Sequence, residues 1–180
     1  MTTKNSHELF NRKLRLFDFY NKMSRPIVLA DQIRSPENMG AILRLAGNIG
    51  AELCLFIVDE NHSYNKIKVD RTSSGASEKV SWEVITLDLI SDYIPDDYTI
   101  IAIETSDKAV SIYDFGFPEK TVFLVGNEVY GIRESVLEIA HNSVFIPIPG
   151  MISSLNVTHA LSIGMFEWLR QYRNNLPSMV

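Results

Sequence analysis

Residues 27–58 read IVLADQIRSPENMGAILRLAGNIGAELCLFIV, and the order of apolar and polar positions in this stretch decides the architecture. IVLADQI at 27–33 and AELCLFIV at 51–58 are short, almost continuous apolar runs, the pattern of strands covered on both faces. Between them the spacing of Ile42, Leu45, Ala46 and Ile49 predicts a helix over 38–48, with Asn38 able to cap it. A strand, a helix and a strand in this order form the repeating unit of a parallel sheet.

The alternation continues outward. After a polar segment rich in Ser and Lys come strands at WEVIT (82–86), YTIIAIET (98–105), TVFLVGNE (121–128) and SVFIPIP (143–149). Short helices are predicted at LDLISDYI (87–94) and over 132–140, and a last one over 155–172. The expected fold class is α/β, a mostly parallel sheet with helices on both faces. The chain has 180 residues, 46% hydrophobic and 22% charged, enough for one domain that buries about 70% of its unfolded surface. That composition excludes a disordered or collagenous chain. Cys54 is the single cysteine, which excludes an internal disulfide framework and a cysteine-based metal site. No apolar stretch approaches the roughly 20 residues that cross a bilayer, and 1–14 lacks the apolar centre of a signal peptide. A cytoplasmic location and no membrane partner are expected.

The net charge is −5, but it is unevenly spread: residues 1–25 carry +4 and the remainder −9. Phe10, Leu14 and Phe17 recur at helical spacing while Arg12, Lys13, Arg15 and Lys22 fall largely elsewhere. Residues 1–25 therefore read as a basic amphipathic helix preceding a main domain over 26–180. Either the helix packs with its basic face solvated, or it is an arm that contacts phosphate.

In a parallel sheet, ligands bind where loops leave the carboxyl ends of the strands, and the unusual residues of this chain lie there. RSPENMGAILR (34–44) follows the first strand, GNEVYG (126–131) follows TVFLV, and PGMISSLNVTHA (149–160) follows SVFIPI. Arg44 sits one turn beyond Gly40, where it can reach a pocket mouth or form a surface salt bridge. Glu128 can serve a site or cap a helix end through the dipole. Ser154 and Asn156 can cap the last helix and hold a ligand as well. His7, His62, His141 and His159 are scattered and form no metal-ligand set, so no metal is expected.

Asn38-Met39-Gly40 with Arg44, then GNEVYGI, then IPGMISSLNV, in this order and spacing, resemble the three motifs of the SpoU family of the SPOUT superfamily, RNA ribose 2'-O-methyltransferases. RTSSGASEK at 71–79 is similar to the middle segment of that family, and the resemblance covers roughly residues 26–172. It implies a C-terminal deep trefoil knot, an S-adenosylmethionine site in the knot, and a homodimer through that region. Carried over by motif, Asn38, Arg44, Glu128, Ser154 and Asn156 belong to the catalytic side. Glu104, Thr105, Gly126, Asn127, Ile146 and Leu155 belong to the cofactor loops. The implied partner is structured tRNA or rRNA. A non-catalytic RNA-binding or assembly module on the same fold is the alternative, and the absence of GxGxxG and GxxxxGK[ST] argues against a Rossmann or P-loop enzyme. Many relatives carry a separate N-terminal RNA-binding domain, for which 25 residues are too few. Arg34, Arg44, Arg133 and the basic leader are the expected sources of positive charge near the site, with Asp31 and Glu37 weakening it.

Overall fold

The computed structural model describes residues 20–59 and 64–172. Most of the amphipathic helix expected in 1–25, Arg12, Lys13 and Arg15 included, lies outside these residues, as does His62. Seven strands form one sheet: β1 (Ile27–Asp31), β2 (Leu53–Ile57), β3 (Ser81–Ile85), β4 (Thr99–Ile103), β5 (Val110–Ser111), β6 (Thr121–Val125) and β7 (Asn142–Phe145). Their spatial order is β3-β2-β1-β6-β4-β7-β5, and every pairing is parallel. The helices are α1 (Pro36–Ile49), α2 (Lys66–Ser73), α3 (Ile90–Tyr93), α4 (Glu134–Leu137) and α5 (Val157–Gln171). The α/β reading of the sequence holds.

All five residues of β1 and of β6 are buried, because these central strands are covered on both sides. Val28, Ala30, Phe56, Ile101 and Phe123 join the apolar sides of α1 and α5 in one layer. Their neighbours Ile27, Leu29, Leu55, Ile100 and Leu124 form the opposite layer with Ile90, Ile94 and Val136. Period-two alternation along each strand thus builds two cores on one sheet.

Several boundaries differ from the sequence reading. Ser35, not Asn38, caps α1: its Oγ accepts from the Asn38 amide at 3.2 Å, and Pro36 follows, its fixed φ suited to the first helical turn. The polar segment after β2 contains α2, capped by the Asn65 side chain. Only Val69 and Ser73 of α2 are buried, too few apolar positions for a periodicity to show. β7 ends at Phe145, ahead of Pro147, which has no amide to donate to a ladder. The helix predicted over 132–140 contracts to four residues, the last helix starts at Val157 rather than 155, and β5 is a two-residue strand that no pattern announces.

α5 lies beneath the segment that precedes β6. Trp168 Nε1 donates to Pro118 O at 3.1 Å, Gln171 Nε2 to Phe115 O at 2.9 Å and Tyr172 Oη to Phe117 O at 2.7 Å. Trp168 is fully buried against Phe123. The helix start that serves the site is therefore anchored at its far end by the core.

α2 rests on the first turns of α1. A Cβ at Gly40 would stand 2.2 Å from Thr72 Oγ1 and 2.7 Å from the backbone nitrogen of Ser73, so the contact admits only glycine. Gly40→Ala is expected to lower the unfolding free energy by about 1–3 kcal/mol, read as a lower urea midpoint at unchanged m-value.

Candidate active site

Three strand exits meet at one edge of the sheet. A cavity of about 250 Å³ is lined by Ile103, Glu104 and Thr105 from the β4 exit, and by 125–129 and Gly131 from the β6 exit. The β7 exit gives Phe145, Ile146 and Ile148, and the approach to α5 gives Ser153, Ser154, Leu155, Val157 and Ala160. It lies at the carboxyl ends of the strands, the edge where ligands bind in open parallel sheets. All six residues expected to serve a cofactor line this cavity, as do Glu128 and Ser154.

The glycines are there for backbone contact. A Cβ on Gly126 would stand 2.2 Å from the carbonyl carbon of Gly131, and one on Gly131 would meet Glu104 Oε2 at 2.7 Å. Gly131 also has φ +72°, which side chains rarely adopt. Between them the turn closes on itself, with Asn127 N donating to Gly131 O at 2.9 Å and Gly131 N returning to Asn127 O at 3.0 Å. Asn127 Oδ1 accepts from the amides of Val129 and Tyr130, and its Nδ2 donates to Gln32 O at 2.7 Å. Side chain and backbone of Asn127 are thus both committed to shaping the turn. Glu104 accepts from Thr105 N at 2.9 Å and Ile132 N at 3.1 Å, and so joins the β4 exit to the β6 turn.

The first loop stands beside the cavity rather than in its wall. Freed from capping, Asn38 donates from Nδ2 to Glu128 Oε1 at 2.6 Å and accepts at Oδ1 from Asn156 Nδ2 at 3.1 Å. Asn156 also caps α5, its Oδ1 accepting from Thr158 N at 2.9 Å. Three residues proposed from three separate segments, Asn38, Glu128 and Asn156, therefore form one hydrogen-bonded chain at the rim. Arg44 does not join it. It is exposed on α1, and its Nη1 lies 3.4 Å from Ser74 Oγ. His159 is exposed on α5.

Asp31 and Arg133 were legible only as charges, and the structure gives them another task. The Asp31 carboxylate is fully buried at the end of β1. It accepts from Arg133 N at 2.9 Å, from Arg133 Nη2 at 2.7 Å and from Arg133 Nε at 3.0 Å. Arg133 Nη1 reaches the exposed Asp59 after β2 at 2.6 Å. These hydrogen bonds to Asp31, ahead of the opposing effect of burial, push the guanidinium pKa further up. Arg133 therefore ties three strand exits together and is unavailable as a free cation, contrary to expectation. The signal was an aspartate closing an apolar run, since a buried carboxylate requires a partner. Next to it, Gln32 takes φ +53° and its buried Nε2 has no partner among the described residues; the Asn127 bond to its carbonyl holds it there. Tyr64 Oη donates to Ile33 O at 2.8 Å, and burial, then the charges of Glu128 and Asp31, push its pKa upward. Among the described residues, no cluster of His, Cys, Asp and Glu could hold a metal.

The cavity suits an amphipathic ligand. Ile146, Leu155, Val125 and Phe145 offer apolar surface, while Glu104 and the turn backbone offer acceptors and donors. Such a cavity at the strand exits of a parallel α/β domain is where a small molecule binds, and comparison with known proteins narrows the class. The SpoU rRNA Methylase family profile matches residues 25–166, and the chain belongs to that family. It is 28% identical over 169 residues to a tRNA (guanosine(18)-2'-O)-methyltransferase of Aquifex aeolicus, covering 91% of this chain and 78% of that protein. The tRNA (guanosine(18)-2'-O)-methyltransferase of Escherichia coli is 31% identical over 153 residues, covering 82% of this chain and 64% of the relative. The chain thus spans just under two thirds of the latter. Among solved structures, the SpoU methyltransferase AviRb from Streptomyces viridochromogenes in complex with the cofactor AdoMet superposes with a TM-score of 0.73 at 25% identity, over 85% of this chain and 62% of AviRb.

Arg133→Ala is expected to leave the Asp31 carboxylate buried and unpaired and to cost about 3 kcal/mol. Chemical denaturation of the single variant and of the Asp31→Asn/Arg133→Met pair checks this, the pair losing less than the single variant.

Proposed function

We propose that this protein transfers the methyl group of S-adenosylmethionine to a ribose 2'-hydroxyl of structured tRNA or rRNA. The observation that carries the reading is the convergence of the β4, β6 and β7 exits on one cavity, with the Asn156–Asn38–Glu128 chain fixed at its rim. The relatives named for methylation of a tRNA guanosine make tRNA the first substrate to test.

S-adenosylmethionine, when bound, supplies a methyl group already activated on a sulfonium sulfur. The work left to this chain is placement and charge management. Ile146 and Leu155 would hold the apolar part of the cofactor, and Glu104 with the backbone of the Gly126–Gly131 turn its hydroxyls and polar edges. Glu128, held by Asn38, keeps one carboxylate orientation at the rim, and Ser154 offers a hydroxyl beside it. Arg44 comes to the substrate from outside the cavity. A guanidinium is very hard to deprotonate, so its role is to grip the substrate phosphate and stabilise the alkoxide that develops as the proton leaves to phosphate or water.

A homodimer through the C-terminal region fits the same reading. Met151 and Ile152 in the loop before α5, and Phe166 on it, are exposed large apolar side chains, the kind a second copy covers. The trefoil knot is carried over from the family, and the strap over α5 at 115–118 is consistent with it. Among the described residues no helix is long and apolar enough to cross a membrane, and we propose a cytoplasmic place of action.

Transfer of a labelled methyl group into total RNA from a strain lacking this protein, with mapping of the 2'-O-methyl position, tests the activity. No incorporation into any RNA would favour the non-catalytic binding module. Arg44→Ala is expected to lower turnover by about 10²–10³-fold while the cofactor Kd, measured by calorimetry, stays within twofold; unchanged turnover would remove Arg44 from the chemistry.

A further inference from the structure

With Arg133 consumed by Asp31 and Asp59, Arg34 and Arg44 remain of the arginines expected near the site outside the basic leader, and α2 adds further cations. Lys68 and Arg71 are exposed on α2, one turn apart and on one side of it. Neither forms an ion pair among the described residues, unlike Lys120, Arg133 and Arg170. Asp70 points away from Lys68, about 200° around the helix at 3.6 residues per turn.

Lys68 and Arg71 flank the side of α2 that packs on the start of α1. Thr72 Oγ1, one residue after Arg71, donates to Pro36 O at 2.8 Å, and Gly40 admits the close contact. The exposed Glu37 carboxylate has its pKa lowered chiefly by its own amide and the Ser35 hydroxyl, and then by the charges of Lys68 and Arg71. Both cations therefore lie close enough to α1 for their charge to be felt at Glu37. Arg44 stands further along α1, its Nη1 near Ser74 at the end of α2. Asn38, six residues before Arg44 and about 9 Å away along the axis at 1.5 Å per residue, is the residue that bonds Glu128 at the cavity.

We infer that the seam between α1 and α2 is a phosphate rail: the backbone of the substrate RNA runs along Lys68, Arg71 and Arg44, which delivers the target ribose to the rim at Asn38. This rests on the RNA-methylation reading above and names where the partner of that site is held. Phosphate contacts of this type position a nucleic acid without reading its sequence. Glu37 opposes the rail, so it contributes positioning at modest affinity, as suits a chain whose net charge is −5.

The test titrates the full-length protein with unfractionated tRNA and, separately, with ribosomal RNA, across a salt series. Lys68→Ala/Arg71→Ala is expected to weaken binding of whichever RNA the wild type holds and to reduce the slope of log K against log salt by about 2, one for each lost phosphate contact. Its cofactor Kd stays unchanged, and Lys68→Arg/Arg71→Lys binds as the wild type does. A double-alanine variant that binds RNA with wild-type affinity and slope would overturn the rail while leaving the methyl-transfer reading intact. Should that variant fold poorly, Glu37→Gln decides: tighter RNA binding supports the rail, and unchanged or weaker binding overturns it. Wild-type protein that binds neither RNA would overturn the methylation reading and the rail with it.

Discussion

A carboxylate closed off from water must be answered in full, and the answer given to Asp31 organises the edge of the sheet where this protein works. Asp31 ends β1 with no exposed surface. Its oxygens are satisfied only because Arg133, 102 residues later, brings both a backbone amide and a guanidinium to it. Arg133 follows the β6 turn, so neutralising Asp31 and seating that turn are one event. The adjacent Gln32–Asn127 bond repeats the link with neutral groups. These two bonds hold the Gly126–Gly131 turn against the exit of β1.

From that anchor the site divides its labour. Buried links, Asp31–Arg133 and Gln32–Asn127, fix the backbone. The rim chain of Asn156, half-buried Asn38 and Glu128 connects the approach to α5, the start of α1 and the β6 turn. Glu104 joins a third strand exit to the same turn. Arg44, Lys68 and Arg71, which we propose meet the RNA, stand apart from the cavity on α1 and α2. On that proposal an acidic domain serves an RNA because its cations are placed, not abundant.

Much of this was legible in the sequence. Apolar runs such as LCLFI and TVFLV announce doubly covered strands because burial on both faces erases alternation, and the loops that follow them stood out by their Gly, Asn and Ser. The six positions expected to serve a cofactor lie together because strand exits share one edge, a consequence of parallel order. Hidden from the sequence were pairings across long separations. Asp31 closes an apolar run, which hints at burial, but nothing local names Arg133, 102 residues later, as its partner. Asn38 looked like a cap because asparagine before an apolar periodicity usually is one; Ser35 and Pro36 took that place and released it for Glu128. α2 was missed since a helix that buries only Val69 and Ser73 has no stripe to detect.

The central claim is that separate strand exits form one cofactor site. Hydrogen–deuterium exchange with and without S-adenosylmethionine measures this on the intact protein. The account predicts that amides at Thr105, in the 127–131 turn and across 146–155 gain protection together on adding the cofactor, while those of α2 do not. Protection confined to one of these segments, or appearing only elsewhere in the chain, would contradict it.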